Sequence, residues 1–320
     1  MTMVKILLDR LYVKYNRKEF LYSDPLEFVH RYTDPWDQEA VALISSQLAY
    51  GNVKQIRRAV EDVLERIKRL SGFPKEFVHT LGRSGGTVTD KSFLSAAYDV
   101  FGDFVYRFNT GRDIVSLLIL LGKSWLAHGS LGAHFLSKLK YTDVNFSTAL
   151  DSLIQDWKNW AGSFNHGLGY FLVSPHGGSC CKRWCMFLRW MGRRDALDLG
   201  LWSQSGPLIG SSRFFLRPNQ LVVPLDTHTA RISRYLGLTS RAGADWKAAL
   251  EVTENLKFGD FSDRSDPAKY DFALARLGIL DICTKRYRPE VCRSCELLGA
   301  CKFTKVSLTS QENEKSCFID

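Results

Sequence analysis

The chain has 320 residues, with 43 Lys and Arg against 34 Asp and Glu, which gives a formal charge of +9. A content of 45% hydrophobic and 24% charged residues is that of an ordinary globular protein and argues against a disordered or fibrous one. No apolar run approaches the roughly 18 residues that a membrane span needs, and the excess of positive charge favours a polyanionic partner.

The N-terminal stretch, residues 1–21, predicts an amphipathic helix. Ile6, Leu7 and Leu11 recur at helical spacing, and Asp9 and Arg10 interrupt the apolar run. A secretory signal has an uninterrupted apolar centre, so this stretch is unlike one. We therefore expect a cytoplasmic protein whose thiols stay reduced, with no membrane partner.

Helical periodicity dominates the rest of the chain, and strict alternation of apolar and polar residues is rare. The pattern predicts an almost all-α protein. A helix opens after Asp34-Pro35 and covers 38–50, and the further helices are predicted at 53–70, 91–108, 113–128, 131–140, 146–160, 179–191, 226–236, 245–256 and 267–283. Two stretches break the pattern: 71–90 is predicted as a loop or short turns, and 203–220 as a polar connection.

A glycine-containing turn precedes the helix predicted at 179–191. It reads Pro-His-Gly-Gly-Ser-Cys-Cys-Lys-Arg over residues 175–183. N–H groups at a helix start point outward and the helix dipole favours an anion, so Gly177 and Gly178 could form a phosphate-binding turn. In that interpretation Lys182 and Arg183 are simple phosphate contacts.

A short apolar run, residues 221–225, ends in Asp226-Thr227-His228 and leads directly into a helix. An aspartate at this position commonly caps the helix through its N–H groups.

Four cysteines lie within nineteen residues near the C-terminus, at Cys283, Cys292, Cys295 and Cys301. Four soft ligands in a reducing compartment favour zinc or an iron–sulfur cluster over disulfides. Only one tight Cys-x-x-Cys pair occurs, so the spacing favours a loop around a cubane cluster, with zinc as the alternative. Basic residues in the same loop could contact a phosphate backbone; they are Lys285, Arg286, Arg288 and Arg293.

These motifs together resemble the endonuclease III-like helix-hairpin-helix (HhH-GPD) DNA glycosylases, in a divergent bacterial branch recorded as a domain of unknown function. The last two cysteine gaps, the Pro-Leu-Asp226-Thr227-His228 stretch and the turn from Gly178 to Lys182 match in the family's order. A segment ending in Ser-Ser-Gln47 resembles the early helix of the family. Cys180 replaces the second glycine of the hairpin, and 44 residues separate Lys182 from Asp226, more than in the family.

The resemblance implies a role for each matching position. Asp226 would be the catalytic carboxylate, because cleavage of an N-glycosidic bond builds positive charge on the sugar and a carboxylate beside C1′ stabilises that charge. Lys182 would be the nucleophile that forms a Schiff base with C1′. Gln47 would enter the DNA stack where a nucleotide is flipped out. The cysteines would hold a structural [4Fe–4S] cluster.

The predicted fold is all-α, with two helical lobes, a helix-hairpin-helix element and a C-terminal iron–sulfur loop. Residues 37–200 would form a helical barrel lobe with the hairpin, 1–36 and 221–320 a cluster lobe, and 201–220 a connecting insertion. The predicted function is base-excision repair: a monomeric, nucleoid-associated DNA glycosylase and AP lyase acting on double-stranded DNA with a damaged base.

Two other functions stay open on the sequence. The protein could be a non-enzymatic DNA-binding module with a structural cluster, since the second hairpin glycine is missing. It could also be a metalloprotein that acts on RNA or a nucleotide, because the basic charge suits that partner equally well.

Overall fold

A computed structural model describes residues 3–84, 87–260, 262–284 and 286–303. Within these ranges the chain is mostly α-helical, which confirms the predicted class. The helices are α1 (Met3–Tyr15), α2 (Leu26–Val29), α3 (Pro35–Gln47), α4 (Val53–Ser71), α5 (Pro74–Gly82), α6 (Val88–Val100), α7 (Gly111–His128), α8 (Leu131–Lys138), α9 (Ser147–Ala161), α10 (His166–Phe171), α11 (Lys182–Gly192), α12 (Thr227–Leu236), α13 (Trp246–Leu256), α14 (Asp271–Ile279) and α15 (Pro289–Cys292). Strands β1 (Val105–Tyr106) and β2 (Asn109–Thr110) form an antiparallel hairpin.

Local chemistry explains where these helices begin and end. Asp34 caps α3 by accepting hydrogen bonds from the N–H groups of Trp36, at 2.9 Å, and Asp37. Pro35 stands at the first helical position, where a missing N–H costs nothing. α7 ends at Gly129, whose φ of +88° lies in the left-handed region that favours glycine.

The stretch predicted as a loop over 71–90 contains a helix instead. Pro74 is the first residue of α5 and Gly82 is its last. The two residues are therefore start and stop signals of one short helix, and the interpretation of them as marks of a continuous loop was wrong.

The helix predicted over 91–108 ends early. α6 stops at Val100, and the β1–β2 hairpin follows. The chain then returns so closely that a Cβ on Gly111 would lie 1.9 Å from the carbonyl oxygen of Phe101. Only glycine fits this approach, and it lets α7 begin against the end of α6.

One continuous set of buried apolar side chains runs through the described chain, from Leu8 in α1 to Leu297 near the last cysteines. α3 packs against α2, α5 and α11, while α14 packs against both α1 and α12. The N-terminal helix therefore lies among the C-terminal helices. The division into two lobes stays a prediction, since this single core crosses both.

The segment 201–220 buries several of its apolar side chains, although Phe214 is exposed. Trp202 and Leu216 are fully buried. The indole N–H of Trp202 donates to Glu39 in α3 at 2.8 Å, and Ser130 donates to the carbonyl of Leu208 at 2.7 Å. The segment therefore covers the region where α3 meets the start of α8.

Over the described ranges, no single helix is long and apolar enough to span a membrane. α7 and α8 meet that requirement only when taken together, across a bend of 73°.

Candidate active site

The turn before α11 positions Lys182. Residues 175–177 form a short 3-10 turn, and Gly178 follows with a φ of +76°. The N–H of Trp246, at the start of α13, donates to the carbonyl of Gly178 at 3.2 Å and fixes the turn. Cys181 then adopts a left-handed φ of +48°, which is uncommon for a residue with a side chain, and Lys182 begins α11. The turn thus directs Lys182 towards the end of α3.

The ammonium group of Lys182 binds the end of another helix. Its Nζ donates to the carbonyl oxygen of Ala49 at 3.1 Å, two residues after α3 ends at Gln47. Carbonyl groups at the end of a helix are short of partners and carry partial negative charge, so they attract a cation. This contact holds the half-buried amine in place between α3 and α11.

Asp226 stands at the start of α12. Its Oδ1 accepts a hydrogen bond from the N–H of Thr229 at 2.7 Å, so it caps the helix as the sequence indicated. The preceding run, 221–225, is buried and extended. In the part of the chain that the structure describes, Oδ2 of Asp226 has no hydrogen-bond donor, which leaves that oxygen available to a ligand.

Lys182 and Asp226 line the same pocket. Its volume is about 110 Å³. That is smaller than the roughly 300–1,000 Å³ of pockets for drug-sized ligands, so it has room for a group of about one ring. Other charged or titratable side chains line it too: Asp24, Arg189, His228, Asp271 and Arg276.

Asp271 is the buried carboxylate of this pocket. It begins α14 and accepts a hydrogen bond from Nη1 of Arg189. Nη2 of the same arginine pairs with Oδ1 of Asp198 at 3.3 Å. Burial raises the pKa of Asp271 to about 7; the carboxylate of Asp226 adds to the effect, and the charges of Arg189 and Lys182 oppose it. A carboxyl group with such a pKa can exchange a proton near neutral pH.

Sequence reasoning missed this part of the pocket. Arg189 and Asp271 are 82 residues apart and belong to no motif. Their partnership arises only because α11 and α14 come together at the pocket. A positive charge within an otherwise apolar helix was the one available signal for Arg189.

Gln47 does not lie where a residue that enters the DNA stack must lie. Its side chain is fully buried, and neither its Oε1 nor its Nε2 has a hydrogen-bond partner among the described residues. Nη1 of Arg183 donates to its backbone carbonyl at 3.0 Å. α11 therefore covers this end of α3, and the burial argues against the predicted role.

Arg183 is also unsuited to its predicted DNA contact. Its side chain is buried, with the guanidinium 3.8 Å from the centroid of the Tyr170 ring. Nη1 and Nη2 donate to the carbonyls of Gln47 and Tyr170. The charge is therefore used inside the protein. Burial disfavours the charged guanidinium and is the main reason why the pKa of Arg183 is lowered.

The glycine turn itself is open. Gly177 and Gly178 are exposed, and a Cβ built on either one would meet no atom within 4 Å. A phosphate group could approach the backbone closely here. Their predicted contact with DNA stays a prediction.

The C-terminal cysteines lie near one another but do not form a metal site as placed. Burial, followed by the neighbouring thiols, raises the pKa of Cys283 and Cys295. Cys292 and Cys301 are half-buried, as are Cys283 and Cys295. Within the described ranges no group of three or more His, Cys, Asp or Glu side chains is arranged to hold a metal ion. The predicted cluster therefore stays a prediction, and we derive no chemistry from a metal.

The basic residues of this segment are partly accessible. Arg286 and Arg293 are exposed, while Arg288 is half-buried and donates to the carbonyl of Asp281 at 3.1 Å. Lys285 lies outside the described residues. Arg231, in α12, donates to the carbonyl of Cys283 at 2.7 Å, which connects this segment to the helix that Asp226 begins.

A family model described as "Protein of unknown function (DUF2400)" matches residues 24–280, which is most of the chain. The chain belongs to the DUF2400 family. No curated protein and no solved structure matches it. The assignment to the helix-hairpin-helix glycosylases was therefore wrong, because the matching family is DUF2400 and nothing in these comparisons supports a glycosylase family.

The DUF2400 match includes the pocket and leaves out the cysteines. Lys182, Asp226 and Asp271 lie inside the matched stretch, which ends at residue 280, before Cys283. The family assignment therefore bears on the pocket and is silent on the four-cysteine segment.

Proposed function

We propose that the protein removes a damaged base from double-stranded DNA, with Lys182 as the nucleophile and Asp226 as the carboxylate that assists it. The observation that carries this proposal is the shared pocket, which the amine of Lys182 and the carboxylate of Asp226 both line. The proposal rests on this chemistry and on no family likeness. The net charge of +9 and the open glycine turn favour a polyanionic substrate.

The reaction begins at the sugar. Nζ of Lys182 attacks C1′ of the deoxyribose with its lone pair. A bond forms between Nζ and C1′ while the bond from C1′ to the base breaks, and the leaving base takes up a proton. Positive charge develops on the sugar in this step, and the carboxylate of Asp226 stabilises it. Asp226 then accepts the proton that Nζ loses once it is bonded to C1′.

Asp271 is suited to supply the proton that the base needs. With a pKa raised by burial to about 7, a substantial fraction of its carboxyl groups is protonated at neutral pH. The sugar ring then opens by cleavage of C1′–O4′, which gives an iminium ion, and O4′ takes up the proton that Asp226 accepted. C2′ loses a proton, and the 3′ phosphate departs as its bond to C3′ breaks. Water then hydrolyses the imine, which releases the unsaturated sugar aldehyde and restores the amine of Lys182.

Borohydride trapping on a duplex with an abasic site tests the lyase half, because reduction of the imine fixes the DNA to the enzyme. We expect a covalent adduct with the wild type and none with Lys182→Ala. Lys123→Ala is a matched control, since that amine also donates to a backbone carbonyl, of Trp160 at 3.3 Å, away from the pocket. An undiminished adduct with Lys182→Ala would overturn the assignment of the nucleophile.

Asp226→Asn separates the chemical role of Asp226 from its structural one. Asparagine caps a helix about as well as aspartate, so the fold should be preserved. On duplexes with different damaged bases, we expect base release to fall by about 10²–10⁴-fold while DNA binding persists. Turnover at the wild-type rate would remove Asp226 from the reaction.

The same assays address the alternatives. Salt-sensitive DNA binding with no base release from any duplex would indicate a non-enzymatic DNA-binding module. Tighter binding of RNA than of DNA would indicate an enzyme of RNA or nucleotides. A bound metal and association with the nucleoid remain proposals from the sequence alone.

A further inference from the structure

The β1–β2 hairpin carries an exposed aromatic and an exposed basic residue at its tip. Arg107 and Phe108 join the two strands, and Phe108 is 47% exposed. Arg107 has a left-handed φ of +57°. That conformation is costly for a residue with a side chain and is usually glycine, so this tight turn holds a strained arginine.

Hydrogen bonds fix the hairpin next to the end of α3. The hydroxyl of Tyr106 donates to the carbonyl of Tyr50, and the hydroxyl of Tyr50 donates to Asn109 Oδ1. Asn109 in turn donates to the carbonyl of Gly167 at 2.7 Å. The hairpin is therefore anchored at its base, and its tip is a rigid projection.

The tip lies at the rim of the pocket. Gly51 lines the pocket together with Lys182 and Ala49. A Cβ on Gly51 would lie 2.6 Å from Nη1 of Arg107, so the arginine side chain passes directly over this glycine. A nucleotide whose sugar reached Lys182 would therefore have neighbours close to the hairpin.

Phe108 is the outer ring of an aromatic stack. Its ring lies parallel to that of Tyr50, with 6° between the planes and 5.3 Å between the centroids. The edge of Tyr170 supports it at 4.6 Å, and the buried guanidinium of Arg183 covers Tyr170. Protein thus holds part of the Phe108 ring, 47% of the residue stays exposed, and the guanidinium of Arg107 lies over the ring at 6.0 Å from its centroid.

The surroundings of the ring suit a nucleic acid. Arg58 and Arg107 are exposed and line a surface cavity of about 310 Å³ with Gln55 and Asp62. Asp62 pairs with Arg66 at 2.8 Å, and Arg66 also pairs with Asp103. A flat ring beside the guanidinium of Arg107 offers a base one partner and the adjacent phosphate another.

We propose that Phe108 stacks on a base of the bound DNA strand, next to the nucleotide whose sugar occupies the pocket, while Arg107 contacts the neighbouring phosphate. The identity of the substrate class rests on the proposed function. The stacking itself is a separate contact that requires no turnover. It would keep the DNA stack closed where the damaged nucleotide has left it.

Binding of a fluorescently labelled duplex with an abasic site, measured by anisotropy, tests this. Loss of one base–aromatic stack weakens binding by about 5- to 150-fold, so Phe108→Ala should raise Kd by that factor. Phe108→Trp should restore binding, which also excludes misfolding as the cause. Phe73→Ala is the control, because Phe73 is 58% exposed at the start of α5 and outside the pocket rim.

A wild-type Kd with Phe108→Ala, an equal loss with Phe73→Ala, or tighter binding of RNA than of DNA would each overturn the proposal. DNA binding that depends on Phe108 without base release would support the stacking and reject the proposed reaction. Base release together with a Kd for DNA that is unchanged in Phe108→Ala would support the reaction and reject the stacking.

Discussion

His134 is a fully buried histidine that joins three helices. From α8, its Nδ1 lies 3.0 Å from Oγ of Ser124 in α7, and its Nε2 lies 3.1 Å from Oδ2 of Asp156 in α9. The ring stacks on His128 at 4.1 Å. Burial lowers the pKa of His134 to about 4, against the opposing effect of Asp156. The fold therefore holds this histidine in its neutral form at neutral pH.

This lowered pKa makes stability depend on pH. The unfolded chain takes up the proton near 6.5, the ordinary pKa of a histidine, and the folded chain only near 4, so stability is lost as the pH falls from 6.5 towards 4. The resulting loss between pH 7 and pH 5 is about 2 kcal/mol. Urea unfolding at both pH values should show a smaller loss for His134→Gln. For the exposed His166→Gln, the loss in the free energy of unfolding between pH 7 and pH 5 should match that of the wild type. Equal losses in the wild type and both variants would contradict the lowered pKa of His134.

Single residues show where sequence reasoning works. Asp226 was predicted both as a cap and as a catalytic carboxylate; it caps α12 and lines the pocket with Lys182, and its catalytic role stays a prediction. Both residues sit at helix starts, which short sequence signals predict well. Burial of Gln47 and Arg183 depends on how α11 crosses α3, and no local pattern encodes that crossing.

At the scale of elements, α5 and α7 cross through two glycines. A Cβ on Gly122 would lie 2.4 Å from the carbonyl oxygen of Val78 and 2.7 Å from Cα of Gly82. The two helix backbones therefore touch, and the space admits no added methyl group. The contact sets the distance between the helices on one side of α3.

Gly122→Ala should push these helices apart. We expect a loss of about 1–3 kcal/mol in the free energy of unfolding, because the overpacking outweighs the gain in helix propensity of about 1 kcal/mol. Gly243→Ala, where a Cβ would meet no atom within 4 Å, should change stability by less than about 0.5 kcal/mol. Denaturant unfolding measures the stability of both variants. A Gly122→Ala variant as stable as the wild type would show that α5 and α7 can move apart at no cost in free energy.

Helix class was predictable from periodicity, and the exceptions have identifiable causes. α5 was missed because a helix of nine residues between Pro74 and Gly82 shows few turns of periodicity. The β1–β2 hairpin was taken as the end of a helix because its turn holds Arg107 where a glycine would have marked it. Tertiary hydrogen bonds to Tyr50 stabilise that turn, and they are not local in sequence.

At the scale of the whole molecule, the first helix and the cysteine segment lie together. α1 packs against the turn at 298–300, and Lys14 pairs with Glu296. The cysteine spacing predicts a metal, whereas among the described residues no group of three or more His, Cys, Asp or Glu side chains is arranged to hold one. Metal analysis of the purified protein decides whether these cysteines bind a metal.

From the spacing we expect about four irons and visible absorbance in protein purified without oxygen. Cys295→Ser should lose both, and Cys180→Ala, outside the segment, should keep both. A measured content of one zinc per chain would support zinc, the alternative metal, in place of the predicted cluster. No metal in the wild type would exclude a metal at these cysteines.

The length of α3 has a consequence for insertions and deletions. Near the start of α3, Glu39 accepts hydrogen bonds from the N–H groups of Leu131 and Gly132 at the start of α8. Just beyond the end of α3, the carbonyl of Ala49 accepts a hydrogen bond from Lys182. Each residue added between them would turn one contact by about 100° relative to the other and shift it by about 1.5 Å. We therefore expect chains of this family to vary in length at surface connections and to keep the interval from Glu39 to Ala49 constant.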